Sequence, residues 1–163
     1  MEQGAILDAT IATSDSQAAA LWSLRENISE AQRIEGISIK HDVAVPVSAV
    51  PEFIRRADAA LLDAFPGLRI VCFGHIGDGN LHYNQSKSLA QENAEFIDQT
   101  SAVNRIVHDL VNELGGSISA EHGIGQLKRL ENRRYKNDVE LDLMQKVKSA
   151  LDPTGLLNPG KVL

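Results

Sequence analysis

The run Gly74-His75-Ile76-Gly77-Asp78-Gly79-Asn80-Leu81-His82 constrains the fold more than any other stretch of this chain. Asp-Gly between two apolar runs is a strong hairpin signal, because a two-residue turn there needs positive φ, which glycine adopts without steric cost. Such a turn at Asp78-Gly79 sets the register: His75 stands opposite His82, and Phe73 opposite Asn84. The two imidazoles then share one side of the ribbon with Cβ atoms about 5 Å apart, a separation suited to a shared divalent ion. Two of the chain's five histidines fall on this one pair, which favours a common role over two unrelated exposed side chains. The Asn84 amide lies beside them.

The flanking segments place this hairpin in a larger order. Ser14 to Gln32 reads as a helix, capped by Ser14 or Ser16, with Ala18, Leu21, Trp22, Arg25 and Ile28 at helical spacing. After Gly36, Ile37 to Pro46 alternates with period two. Ser48 starts a second helix to about Ala64, with Pro51 tolerated in its first turn. Leu68–His75 and Asn80–Asn84 are the hairpin strands. Glu92 to Leu114 is a long helix stopped by Gly115-Gly116. Its inward residues are Phe96, Val103, Ile106, Val107, Leu110, Val111 and Leu114. Ser117–Glu121 is a short strand. Two more helices are expected near Gly125–Asn132 and over Val139–Leu151, before the turns Asp152-Pro153 and Asn158-Pro159-Gly160.

From Ile37 to Glu121 the order is strand, helix, strand, strand, helix, strand. That predicts an α+β fold: a ferredoxin-like βαββαβ antiparallel sheet with both helices on one face, plus flanking N- and C-terminal helices. Alternation then sorts the side chains. Ile39, Val43, Ile70, Cys72, Leu81, Tyr83, Ile118 and Ala120 face the helices. Lys40, Asp42, Arg69, Phe73, His75, His82, Asn84, Ser119 and Glu121 face the open side. His41 falls on the apolar face and His108 lies off the apolar stripe of its helix; neither receives a role.

Size and charge narrow the class. With 163 residues the chain is long enough for one domain. A net charge of −6 gives no basic footprint for nucleic acid. No apolar run is long enough to span a membrane. Residues 1–13 lack the pattern of a signal peptide. The lone Cys72 sits in an apolar run and is expected to be buried and reduced, as in a cytoplasmic protein.

The open face holds a metal-ligand set. His75, His82 and Glu121 form a His₂Glu group that leaves coordination positions free, as a catalytic metal requires. Zinc fits first, and manganese, iron or cobalt accept the same ligands. In Ala120-Glu121-His122-Gly123-Ile124-Gly125 the glycines allow the backbone to turn, bringing Glu121 and His122 to one site. His122 is then either a proton acceptor, with a pKa suited to that task, or a third metal ligand. Arg25 and Lys40 are candidate anchors for anionic substrate groups.

These segments resemble the C-terminal domain of FAD-linked oxidases of the vanillyl-alcohol-oxidase type. Within them the D-2-hydroxy-acid dehydrogenases are nearest, including D-2-hydroxyglutarate and D-lactate dehydrogenases and the glycolate oxidase flavin subunit. The matching residues are Leu21-Trp22-Ser23-Leu24-Arg25-Glu26, Lys40-His41-Asp42-Val43-Ala44-Val45-Pro46, Gly74 to His82, Ala120 to Gly125, and Leu151 to Lys161. The resemblance implies that His75, His82 and Glu121 bind a divalent metal and that His122 removes the substrate's hydroxyl proton while hydride passes to FAD. It implies that Arg25, Ser29, Lys40 and Asn84 hold the substrate and that Asn158 belongs to the cofactor-binding residues. The partners implied are a small 2-hydroxy acid and an FAD-binding domain; a homodimer is compatible with it. On this view residues 1–163 are one substrate- and metal-binding domain, the FAD-binding domain is absent, and the chain alone oxidises nothing. Arg25 and Lys40 together suit a dicarboxylate such as 2-hydroxyglutarate. The competing readings are a metal-binding or interaction module without activity and a zinc-dependent hydrolase.

Overall fold

Chain contacts divide the protein between Ser38 and Ile39 in a computed structural model that describes residues 6–163. In the first unit, the Ser14 hydroxyl accepts the Gln17 N–H at 3.3 Å and starts helix α1, Asp15–Glu26. The expected Ser14–Gln32 helix is interrupted at Asn27, and α2 follows over Ile28–Ile34. Asparagine competes for local backbone bonds and weakens a helix interior. No residue of α1 is buried.

The sheet is antiparallel around β4, Asn80–Ser86. β3, Arg69–His75, pairs with it on one side. On the other side lie β1, Ser38–Ile39, and β2, Asp42–Ala44. These two are the expected Ile37–Pro46 strand, parted at Lys40-His41. The reason is a substituted partner: the His41 N–H donates to the side-chain Oδ1 of Asn84 at 3.1 Å. The His41 carbonyl still accepts the Tyr83 N–H at 2.9 Å.

Beyond β2 the expected strand Ser117–Glu121 is reduced to one antiparallel bridge, Ser117 to Ala44. The order across the sheet is therefore Ser117, β2, β4, β3, the sequence of segments that a ferredoxin-like α+β fold has. The final segment leaves the ladder because Asp42 captures its backbone, as described below.

Helices α3, Val50–Ala64, and α5, Thr100–Glu113, cover one face of the sheet. Phe53, Ala57 and Leu61 of α3 are buried together with Val103, Val107 and Val111 of α5 and with Leu81 and Tyr83 of β4. The Phe53 and Tyr83 rings meet edge-on with centroids 5.2 Å apart. The Tyr83 hydroxyl donates to Asp58 at 2.6 Å.

The expected Glu92–Leu114 helix is broken at Gln99, giving a short α4, Asn93–Asp98, ahead of α5. The helix expected near Gly125–Asn132 lies later, as α6 over Arg129–Tyr135. Helix α7, Asp138–Leu151, opens on a capping box between Asn137 and Glu140. Cys72 is exposed, contrary to expectation. It sits on β3, which pairs on one side only, whereas β4 is covered and almost wholly buried. Among the described residues no helix is long and apolar enough to cross a membrane.

Under the helices lies a buried polar chain. His41 and His108 meet edge-on at 5.3 Å, and His108 Nδ1 lies 2.9 Å from Glu131 Oε2. Arg105 donates to the same carboxylate at 2.8 Å. Although His108 lies off the apolar stripe of α5, it is buried, because Glu131 gives its ring a polar partner there.

Candidate functional site

The hairpin turn is longer than its Asp-Gly signal predicts. Phe73 pairs with His82 and His75 with Asn80, so Ile76 to Gly79 form a four-residue loop. Asp78 supports it by accepting the Asn80 N–H at 3.0 Å. His75 and His82 are therefore diagonal neighbours, not opposite ones, and Asn84 stands opposite Val71. The shift is an even number of residues, so every side chain keeps its face. A register displaced by two residues therefore still leaves both imidazoles on one side.

Gly79 fixes the tip. Its φ is +76°, and a Cβ there would lie 1.9 Å from the Val45 carbonyl oxygen. The Val45 N–H donates to the Gly79 carbonyl at 3.1 Å, clamping the loop to the end of β2.

Glu121 arrives from the segment beyond the Ser117 bridge. Its Oε1 lies 3.7 Å from His75 Nε2 and its Oε2 3.6 Å from His82 Nε2. A tetrahedral ion with ligand bonds of 2.0–2.1 Å separates its donors by about 3.4 Å. The donor set of two imidazole nitrogens and a carboxylate thus fits a zinc-like ion in chemistry and in spacing. His75 and Glu121 are about half exposed, so the group opens to solvent.

A second constellation shares His82. Its Nδ1 lies 3.9 Å from Asp42 Oδ1, and His122 Nδ1 lies 3.8 Å from Asp42 Oδ2. The His82 ring is flanked by His122, roughly parallel at 5.6 Å, and by Phe73 at 5.0 Å. Asp42, His82 and His122 also have the composition and spacing of a metal-ligand group. One oxygen of Asp42 is already committed, however. Its Oδ2 accepts the backbone N–H groups of Ala120, Glu121 and His122 at 3.1, 2.9 and 2.8 Å. Gly123, at φ +77°, then turns the chain away.

Burial alone would raise the Asp42 pKa. The His122 and Glu121 N–H bonds, with the charges of His122 and Lys128, outweigh it and leave the carboxyl below its usual value. Lys128 is itself pushed down by burial, with Asp42 opposing, and donates to the Ile118 carbonyl at 2.9 Å.

The remaining expected residues are distributed. Lys40 is exposed at the break between β1 and β2. Asn84, on the His82 face, is buried and orients its amide on the His41 backbone. Arg25 and Ser29 belong to the first unit. Arg25 pairs with Glu26 at 3.1 Å and lies over the Trp22 ring at 5.6 Å, and Ser29 is exposed. Asn158 is exposed with φ +46°. It follows a turn in which Asp152 accepts the Leu156 and Leu157 N–H groups at 2.9 Å. Asp42 was legible only as an open-face residue; its grip on residues 120–122 spans nearly eighty positions and has no local signature.

Residues 1–162 match the family of FAD linked oxidases, C-terminal domain. A D-2-hydroxyglutarate dehydrogenase of Xanthomonas citri pv. viticola is 45% identical over 99% of this chain and 34% of its own length. One of Stutzerimonas stutzeri is 42% identical over 99% of the chain and 35% of its own length. A mitochondrial D-2-hydroxyglutarate dehydrogenase of Danio rerio is 36% identical over the whole chain and 29% of its own length. The chain spans about a third of the length of these curated relatives. A metal-sized His₂Glu group on the open face of a ferredoxin-like sheet, with a match over 162 residues, has one conclusion: this chain belongs to the C-terminal domain family of the FAD-linked oxidases.

Proposed function

We propose that this chain is the substrate- and metal-binding part of a flavin-dependent dehydrogenase that oxidises a D-2-hydroxy acid to the 2-oxo acid. The observation that carries the reading is the approach of Glu121 to both hairpin imidazoles, with His122 stacked beside His82. A divalent ion held by His75, His82 and Glu121, zinc first, would supply Lewis-acid polarisation of the substrate's carboxylate and hydroxyl oxygens. FAD, bound mainly by a domain outside this chain, supplies the hydride acceptor.

The chain's own residues do the rest. His122 is the next side chain after Glu121 and is exposed beside the ligand group. It accepts the hydroxyl proton as the Cα hydrogen leaves as hydride, so two electrons and one proton leave the carbon together and a second proton rests on imidazole. The Asp42 carboxylate stands 3.8 Å from its Nδ1. Lys40 anchors the far carboxylate of a dicarboxylate substrate, which selects 2-hydroxyglutarate over lactate or glycolate. The substrate roles of Arg25, Ser29 and Asn84 and the cofactor role of Asn158 rest on the family resemblance.

The test uses the complete flavoprotein. His122→Ala is expected to slow flavin reduction by D-2-hydroxyglutarate about 100–10,000-fold, the usual worth of a general base. Bleaching at the wild-type rate removes His122 from the mechanism. Faster bleaching by lactate or glycolate than by 2-hydroxyglutarate overturns the substrate assignment.

A further inference from the structure

Asp42 is 2% exposed, yet it sits beside an open site. One oxygen, Oδ2, is saturated by three backbone N–H groups. The other, Oδ1, is buried without a hydrogen-bond partner, and the ring nitrogen His82 Nδ1 faces it at 3.9 Å. A buried carboxylate oxygen left bare costs free energy that a nearby donor recovers. A shift of about 1 Å at the His82 ring edge brings Nδ1 to hydrogen-bond length.

We propose that Asp42 is the positioning residue of this site: Oδ2 holds the backbone that presents Glu121 and His122, and Oδ1 holds the Nδ1 proton of His82. The consequence is a tautomer choice. With its proton on Nδ1, neutral His82 presents a bare Nε2 lone pair toward Glu121 and His75, the form in which imidazole binds a metal. One carboxylate thereby sets the direction of both the acid and the imidazole of the ligand group. This inference rests on the metal reading given above and adds to it a residue outside the ligand group that acts through His82 and the backbone of residues 120–122.

Asp42→Asn separates the two jobs. Its amide oxygen can still accept the backbone N–H groups of residues 120–122, which leaves the amide NH₂ facing His82. That NH₂ donates to Nδ1 and drives the ring proton to Nε2, the nitrogen the metal needs. In a Zn²⁺ titration of the full chain against a competing chelator, the variant is expected to bind about 10–100-fold more weakly, with unchanged far-UV circular dichroism. The nitrogen-15 signals of His82 in the metal-free chain above pH 8 are expected to report an Nδ1 proton in the wild type and an Nε2 proton in the variant.

Equal zinc affinity in the two chains overturns the proposal. So does a wild-type His82 with its proton on Nε2, a measurement that needs no variant and decides the case if Asp42→Asn fails to fold. Two ions per wild-type chain would make Asp42 a ligand, which also overturns it. A wild type that binds no zinc refutes the metal reading, and the tautomer then decides the role of Asp42 alone.

Discussion

His41 makes this fold acid-sensitive in a range where most proteins are stable. It is 2% exposed, and its Nδ1 lies 3.2 Å from the Tyr83 carbonyl. Burial first, and the neighbouring His108 second, push its pKa down to about 3, against support from the Tyr83 carbonyl and the Gln85 and Asn104 side chains. In the unfolded chain the ring titrates near 6.5. Between those two values the unfolded state binds a proton that the folded state refuses, so stability falls as pH falls through that window. The slope approaches 1.4 kcal/mol per pH unit, and between pH 7 and pH 4.5 the loss from this one residue is about 2–3 kcal/mol. His41→Asn keeps a donor for the Tyr83 carbonyl and does not titrate. Urea unfolding of the two chains at pH 7, 6, 5 and 4.5, with chelator present, measures the difference directly. The variant is expected to lose stability less steeply, by most of that amount, since every other group is common to both. Parallel curves would mean that His41 protonates in the folded protein as easily as in water, and the argument from burial would be refuted.

Two further outcomes follow from the packing. Phe53→Ala removes a fully buried ring from between α3 and Tyr83 and is expected to cost about 3–5 kcal/mol in denaturant unfolding; a loss under about 1 kcal/mol would mean the helix layer does not rest on this contact. Gly79→Ala meets both an unfavourable φ, costing roughly 1–2 kcal/mol, and the Val45 carbonyl oxygen at 1.9 Å. It should lower the melting temperature and weaken zinc binding together, because the loop joins His75 at the end of β3 to the strand that carries His82; a variant as stable as the wild type would contradict the clamp between the hairpin tip and β2.

Much of the site is local in origin and so could be read from residue order. The Asp78-Gly79 signal locates a reversal, and period-two alternation assigns His75, His82 and Asp42 to one face whatever the register. The loop is longer than the Asp-Gly signal implies because Asp78 takes the Asn80 N–H and Gly79 is tied to Val45, and neither bond is implied by the tetrapeptide. The breaks at Asn27, Lys40-His41 and Gln99 escaped for a related reason. Hydrophobic spacing continues across each of them, and at Lys40-His41 the backbone turns to the Asn84 amide.

Side-chain parity along strands and the spacing of apolar residues along helices are properties of neighbours in the chain. They are enough for the α+β class, for the helix-covered face and for placing His75, His82 and Asp42 on one side of the sheet. The meeting of Glu121 with the hairpin is different in kind. It depends on a buried carboxylate binding three amides far away in sequence, which converts an expected strand into a turn and presents Glu121 and His122 beside the hairpin. The exposure of Cys72 and the burial of His108 belong with it, since each depends on what the rest of the fold places over that residue. Such contacts are made by distant segments when the core closes, and no short stretch of residues carries their energy.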